Sequence, residues 1–229
     1  TPDELIHDLF LATAWPENPL GKPILGTAKS LDQIDRDMVV NYIRRQYVPD
    51  RIVIAAAGNL EHDEVVNMVA PYFEGMKVQK QPPMAPAPEG ISGSTKHLKK
   101  ETGQIQVCLG TRGVALEDER NYPLQLLNNV LGGGLSSRLV QSIREERGLA
   151  YTTYSFNSAF NGTGIFAFYA GTSPRACDTV IQLFHQEMEK LQKEGITEKE
   201  FNRAKEQVRG GLYMGLENVN NRMNPLGRN

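Results

Sequence analysis

Cysteine is scarce in this chain. Its two residues, Cys108 and Cys177, stand among 229, so a disulfide framework is excluded as the source of stability. Cys108 lies in an apolar, strand-like run and Cys177 in an amphipathic helical one, which reads as two reduced core thiols in a reducing, cytoplasmic setting. No stretch approaches the roughly 20 apolar residues of a membrane span, and the opening Thr1-Pro2-Asp3-Glu4 has no signal-peptide features. A surplus of either charge is missing as well. With a net charge of −2, 40% hydrophobic and 23% charged residues, the composition is that of an ordinary globular protein without a general attraction to nucleic acid or an anionic membrane. The absence of an initiator Met leads us to expect a piece of a longer chain.

Several chemistries lack their residues. Gly132-Gly133-Gly134 could suggest a phosphate cradle, but no G-K-[ST] follows and no G-x-G-x-x-G occurs. There is no G-x-S-x-G, and neither cysteine has a histidine beside it in sequence, so covalent catalysis has no local signal. Zinc catalysis needs about three protein ligands, whereas His7, His62, His97 and His185 include no pair at i, i+4. His185 and Glu189 share a helix face and, with no third ligand nearby, read as a solvated or partly packed pair. The run Glu61-His62-Asp63-Glu64 reads as the polar first turn of a helix, where acidic residues are favoured. No metal site is expected in this segment.

What is present is a regular alternation of start and stop signals. Thr1 with Glu4 forms a capping box ahead of a helix to about Ala14, ended by Trp15-Pro16. Ser30 with Gln33 repeats the spacing before a helix bearing Met38, Val39, Tyr42 and Ile43. Ile52 to Ala57 reads as a buried strand, followed by a helix from about His62 to Tyr72. Gln79 to Ser94, with Pro82, Pro83, Pro86 and Pro88, reads as a semi-rigid linker. Beyond it, Thr95–Glu101 and Gln104–Gly110 read as strands and Tyr122–Leu131 as a helix. Tyr151–Ala159 and Gly162–Thr172 form a hairpin across Asn161-Gly162. A long helix after Pro174 carries the core stripe Ala176, Val180, Ile181, Phe184, Met188 and Leu191, and Thr197 with Glu200 caps a last helix toward Leu216.

The most informative stretch is Leu131 to Tyr151, LGGGLSSRLVQSIREERGLAY. The glycines stop one helix and permit a close backbone approach. Ser136 or Ser137 can cap a short helix with Leu139, Val140 and Ile143 on its buried side, and Gly148 supplies a left-handed stop. Arg144 falls in the last turn of that helix and Tyr151 opens the next strand, so a helix-turn-strand corner can bring both polar tips to one rim. Taken alone, a cation at a helix C-terminus and a tyrosine in a strand are also ordinary structural features.

This stretch resembles the second half-domain signature of the pitrilysin/insulinase family of zinc metallopeptidases, the inverzincins, in particular its mitochondrial-processing-peptidase-like bacterial branch. Leu11–Gly26 (LATAWPENPLGKPILG), Tyr47–Leu60 (YVPDRIVIAAAGNL) and Arg203–Arg228 (RAKEQVRGGLYMGLENVNNRMNPLGR) agree with it, in the family's order over nearly the whole chain. The resemblance implies an α+β clamshell of two similar half-domains, each an antiparallel-rich sheet packed with helices, both incomplete here. By analogy residues 1–78 are the rear of the first, zinc-bearing half-domain, 79–94 the Pro-rich linker, and 95–229 most of the second, substrate-binding one. The family's H-x-x-E-H helix and later glutamate ligand do not occur in this sequence, so zinc is expected in the complete parent protein and not in this segment, which alone is expected to be inactive.

Carried over by motif, Arg144 and Tyr151 are expected to be catalytic and substrate-binding, donating hydrogen bonds to the peptide carbonyl as it becomes an oxyanion. Gly132, Gly133 and Gly134 are expected to shape or gate the chamber wall. The expected parent is a zinc metalloendopeptidase of peptides or unfolded segments. The alternative is a structural or peptide-binding subunit of the same family that has lost the metal motif. Expected partners are a peptide substrate and either a homodimer mate, the missing N-terminal portion or a related subunit, with no nucleic acid and no membrane.

Overall fold

A computed structural model of the chain describes residues 1–76 and 85–227. The expected linker residues 79–84, with Pro82 and Pro83, and Arg228 of the last quoted motif lie outside them. Chain contacts group into two compact units, one holding Thr1–Ile24 with Ala85–Val208, the other drawn from Leu25–Met84 with Arg209–Asn229.

The first unit is built on a three-stranded antiparallel sheet in the order β1-β3-β2: β1 is Ile105–Arg112, β2 Ala150–Phe160 and β3 Thr163–Thr172. The hairpin forms where Asn161-Gly162 signals it, with Gly162 at φ 73° supplying the positive angle such a tight turn demands. Central β3 is buried along its whole length, because each face is covered by different partners. Phe166, Phe168 and Ala170 pack with Leu131, Leu139, Ile143, Val180 and Phe184, which come from α5 (Asn121–Gly132), the turn after it, and α6 (Cys177–Glu194). Each of the large side chains there contributes about 1.5–3 kcal/mol through burial. On the opposite face, Ile165 packs with Ala14 and Trp15 of the α1 segment (α1, Pro2–Ala14), beside Phe10, Phe156 and Phe160.

The described part of the expected linker is tied down on that same side. Trp15 Nε1 donates to the Gly90 carbonyl at 3.1 Å, Asn18 Nδ2 to that of Pro86 at 3.2 Å, and Ser92 N to that of Ala14 at 2.8 Å. The capping boxes expected at Thr1/Glu4 and Thr197/Glu200 are both formed, the second opening α7, Glu198–Gly215.

The second unit contains α2 (Ala28–Leu31), α3 (Arg36–Gln46), α4 (His62–Phe73) and α8 (Val219–Leu226). Here two expectations need correction. The capping box placed at Ser30 and Gln33 forms between Thr27 and Ser30 instead, and α3 is capped by Asp35, whose carboxylate accepts from Met38 N at 2.7 Å. Ile52–Ala57 forms no strand among the described residues, and Val53 is 71% exposed. An apolar run of strand-like composition becomes a strand only where another segment accepts its backbone hydrogen bonds.

Within the first unit, Thr95–Glu101 likewise forms no strand; its run of His97, Lys99 and Lys100 is exposed to solvent. The α+β class and the antiparallel sheet are as the sequence led us to expect.

Candidate functional site

Arg144 and Tyr151 are brought together by two irregularities in succession. The helix after the glycines is not α-helical where Arg144 sits but a π-helical turn, Val140–Glu145, in which Glu146 N reaches back five residues to the Gln141 carbonyl at 2.9 Å. A π-turn accommodates one residue more than an α-turn and re-aims the side chains it carries. Leu139 and Ile143 are fully buried against the sheet, so the widened turn leaves Arg144 on the outer side. Its end is closed by Gly148, at φ 61°, with Gly148 N donating to Arg144 O at 3.0 Å and Leu149 N to Ile143 O at 2.9 Å. This is the left-handed stop expected there. Ser137 does not cap with its side chain: its hydroxyl is buried and unpartnered, and only its backbone takes part in the turn, N to Gly134 O and O from Gln141 N.

The second irregularity is a bulge at the very start of β2. Ala150 pairs with Thr172 and Thr152 with Gly171, leaving Tyr151 as the extra residue with no opposite number. Bulges disrupt the ladder locally, twist the strand and redirect a side chain. The result is a Tyr151 that is 76% exposed while its neighbour Ala150 is in the core. The guanidinium of Arg144 lies 5.0 Å from the centroid of the Tyr151 ring, within the range of a cation–π contact. Arg144 Nε also stands 3.4 Å from Glu145 Oε1. The two donors thus share one solvent-facing corner, neither walled into the interior.

The glycine triplet has a different geometry from a free loop. None of the three has a positive φ. Gly132 ends α5, and a Cβ placed on it would stand 1.9 Å from Ser155 N, so hydrogen alone lets the helix end touch β2. Ser155 secures the contact by donating to Asn128 Oδ1 at 2.7 Å. Gly133 carries the helix C-cap, and its carbonyl accepts from Gln207 Nε2 at 3.3 Å.

Sequence reasoning missed the clamp behind the π-turn. Arg138 meets Glu200 through Nε–Oε1 at 2.7 Å and Nη2–Oε2 at 2.9 Å, with side chains only 11% and 17% exposed. Glu200 is the capping-box residue of α7, and its Oε2 also accepts from Thr197 N at 2.8 Å. These bonds pull its pKa down to about 2, the Arg138 hydrogen bonds chiefly. The only sequence signal was the capping box itself, which placed Glu200 without naming a partner 62 residues away.

Among the described residues no three His, Cys, Asp or Glu side chains are grouped to hold a metal. His7 instead shares a 3.0 Å hydrogen bond with Tyr154 Oη, and burial lowers its pKa. His62 and His97 are exposed, and Glu189 pairs with Lys193 at 3.7 Å. Both cysteines are free thiols. No described helix is long and apolar enough to cross a membrane.

Comparison with known proteins agrees with the motif. An uncharacterized zinc protease of Streptomyces coelicolor is 38% identical, with 99% of this chain aligned to 51% of the relative. One of Bacillus subtilis is 37% identical over the whole chain and 55% of its own length. This chain therefore spans about half the length of these relatives. In three dimensions it superposes on a peptidase M16 inactive domain from Pseudomonas fluorescens with a TM-score of 0.85 at 24% identity, covering 92% of this chain and 51% of the other. A protease from Helicobacter pylori gives a TM-score of 0.82 at 20% identity, covering 95% and 54%; both likenesses concern the fold. The profile of the peptidase M16 inactive domain matches residues 33–208. The chain belongs to the M16 peptidase family, matching the part of it described as the inactive domain.

Proposed function

We propose that this chain is the substrate-holding portion of a zinc-dependent metalloendopeptidase that cleaves peptides or unfolded segments. One observation carries the reading: Arg144 and Tyr151, delivered by a π-turn and a bulge, stand together on the surface with the guanidinium over the phenol ring. A scissile carbonyl gains negative charge as it is attacked, and fixed donors aimed at that oxygen lower the barrier. The guanidinium offers several N–H groups in one plane and the phenol one O–H. Stacking one on the other restricts both side chains before substrate arrives, which reduces the ordering cost of binding. In this reading Gly132, Gly133 and Gly134 form the wall beside them, held by the contact of α5 with β2. The described residues offer no zinc ligand set, so the parent would hold the metal with other residues. The same reading sets the protein in the cytoplasm, with a peptide as its partner, as a homodimer or beside a related subunit.

The test uses the complete parent protein. Tyr151→Phe and Arg144→Ala should each lower kcat/KM for peptide hydrolysis by about tenfold or more with zinc content unchanged. Unchanged turnover in both would remove the pair from the mechanism and leave the structural, non-catalytic role.

A further inference from the structure

The sheet of the first unit is completed on one side only. In the order β1-β3-β2, β1 pairs with β3 along Ile105–Arg112, and among the described residues no backbone bond reaches its outer edge. A hollow of about 360 Å³ runs along that edge and is lined by six consecutive β1 residues, Ile105 to Gly110. Leu9 and Phe10 of α1 wall it on one face of the sheet and Ile181 of α6 on the other. An edge roofed on both faces offers unpaired N–H and C=O groups to a segment that can bury apolar side chains on both of its sides.

The segment next to this edge is unsuited to it. Thr95, Lys96 and His97 also line the hollow, yet Thr95–Glu101 forms no strand. Laid against β1, it would turn Lys96 and Lys100 toward one wall and His97 and Lys99 toward the other, since strand side chains alternate. Burying a cation among apolar side chains without a partner is costly. The chain does hold a run of the required kind. Ile52–Ala57, in the second unit, is apolar at every position, forms no strand, and leaves Val53 71% and Ile54 51% exposed. One edge lacks a strand, and one strand-like run lacks a sheet.

We propose that two copies of this chain exchange these segments, Ile52–Ala57 of each adding as a fourth strand to the β1 edge of the other. Each copy carries both the run and the edge, so the exchange is reciprocal and closes at a dimer. Backbone hydrogen bonds build the ladder while alternate side chains fill the two walls, as in other cases of strand addition. The edge involved is the one opposite β2, the strand that carries Tyr151, and the proposal is independent of the function proposed above.

The test uses the 229-residue chain. Analytical ultracentrifugation across about 1–100 μM should show monomer converting to dimer. Hydrogen exchange over the same series should slow in Ile52–Ala57 and in β1 together, while β2 stays unchanged. A dimer that persists throughout the series and is split by Ile54→Lys would support the exchange equally. Ile54→Lys, at a position exposed in the single chain, should weaken dimerisation at least about tenfold, because the ammonium would enter the apolar slot. Met68→Lys, at another exposed apolar position, should leave dimerisation unchanged. A monomer at every concentration, or assembly that runs on past a dimer, would overturn the proposal. So would equal effects of the two lysine variants, slowing in one segment alone, or protection of both segments in the monomer, the sign of pairing within one chain.

Discussion

Arg138 and Glu200, 62 residues apart in the chain, face each other in a two-pronged ion pair with nitrogen-to-oxygen distances of 2.7 and 2.9 Å. Arg138 lies just ahead of the π-turn and Glu200 in the first turn of α7, so the pair ties the element carrying Arg144 to a long helix. A third bond, from Arg138 Nη2 to Gly195 O at 2.9 Å, adds the loop between α6 and α7.

Glu200 should therefore govern stability in acid. Its folded pKa, about 2, lies below the ordinary value of 4.5, so its contribution is present above pH 4.5 and is lost as the pH falls toward 2. Urea unfolding of the wild type monitored across that window should show a falling midpoint, and Glu200→Gln should flatten the fall. At neutral pH the same substitution leaves Arg138 short of its counter-charge and should cost about 3 kcal/mol. A pH profile identical in both proteins would remove the pair from this role.

Gly132→Ala tests the contact of α5 with β2. The added Cβ would meet backbone, at 1.9 Å from Ser155 N and 2.7 Å from Tyr154 C, and neither atom can step aside as a side chain would. Overpacking of this kind costs roughly 1–3 kcal/mol or more, and the loss should appear as a lower denaturant midpoint. By contrast, Gly134→Ala meets only the Gln207 side chain, 3.3 Å away, and should leave the midpoint nearly unchanged. Equal effects at the two positions would contradict the packing account.

Legibility of the fold in the sequence differs by the kind of signal. The hairpin is legible, because Asn161-Gly162 announces its turn locally, and so are the Thr1/Glu4 and Thr197/Glu200 capping boxes and the burial of Val180 and Phe184 on α6. Those features depend on residues within a few positions of one another. Ile52–Ala57 departs from its strand-like composition because strand formation is decided by a distant partner, which composition does not reveal. The same holds for Thr95–Glu101. For the candidate site, the residues Arg144 and Tyr151 and the stop at Gly148 are readable, but the π-turn, the bulge and the Arg138–Glu200 clamp are not. Each of these depends on how elements far apart in sequence fit together, with no local motif to mark it.

Cys108 offers a chemical check on the sheet. Burial pushes its thiol up to about 12, and since the thiolate is the reactive form, the folded protein at pH 8 should leave Cys108 unlabelled by iodoacetamide. Labelling should become rapid in urea, when the thiol returns to its usual range. Mass spectrometry of the peptide containing Cys108 reads the result directly. Fast labelling of the native protein would mean that β1 and α1 part far more readily than their packing implies.

Both elements that present the donor pair contain one residue more than the regular pattern would hold. An extra residue in a helix turns every later side chain by about 100° around the axis, and one in a strand exchanges its two faces. Here the two surplus residues, one in the π-turn Val140–Glu145 and the other Tyr151, fall within a single stretch of chain flanked by the buried Leu139 and Thr153. The regular elements therefore keep their phase on both sides, and the departure from periodicity is confined to the stretch between them. Losing either surplus position would leave the composition of this corner almost intact and yet turn its polar groups in different directions, so length, as much as residue identity, sets the chemistry of this corner.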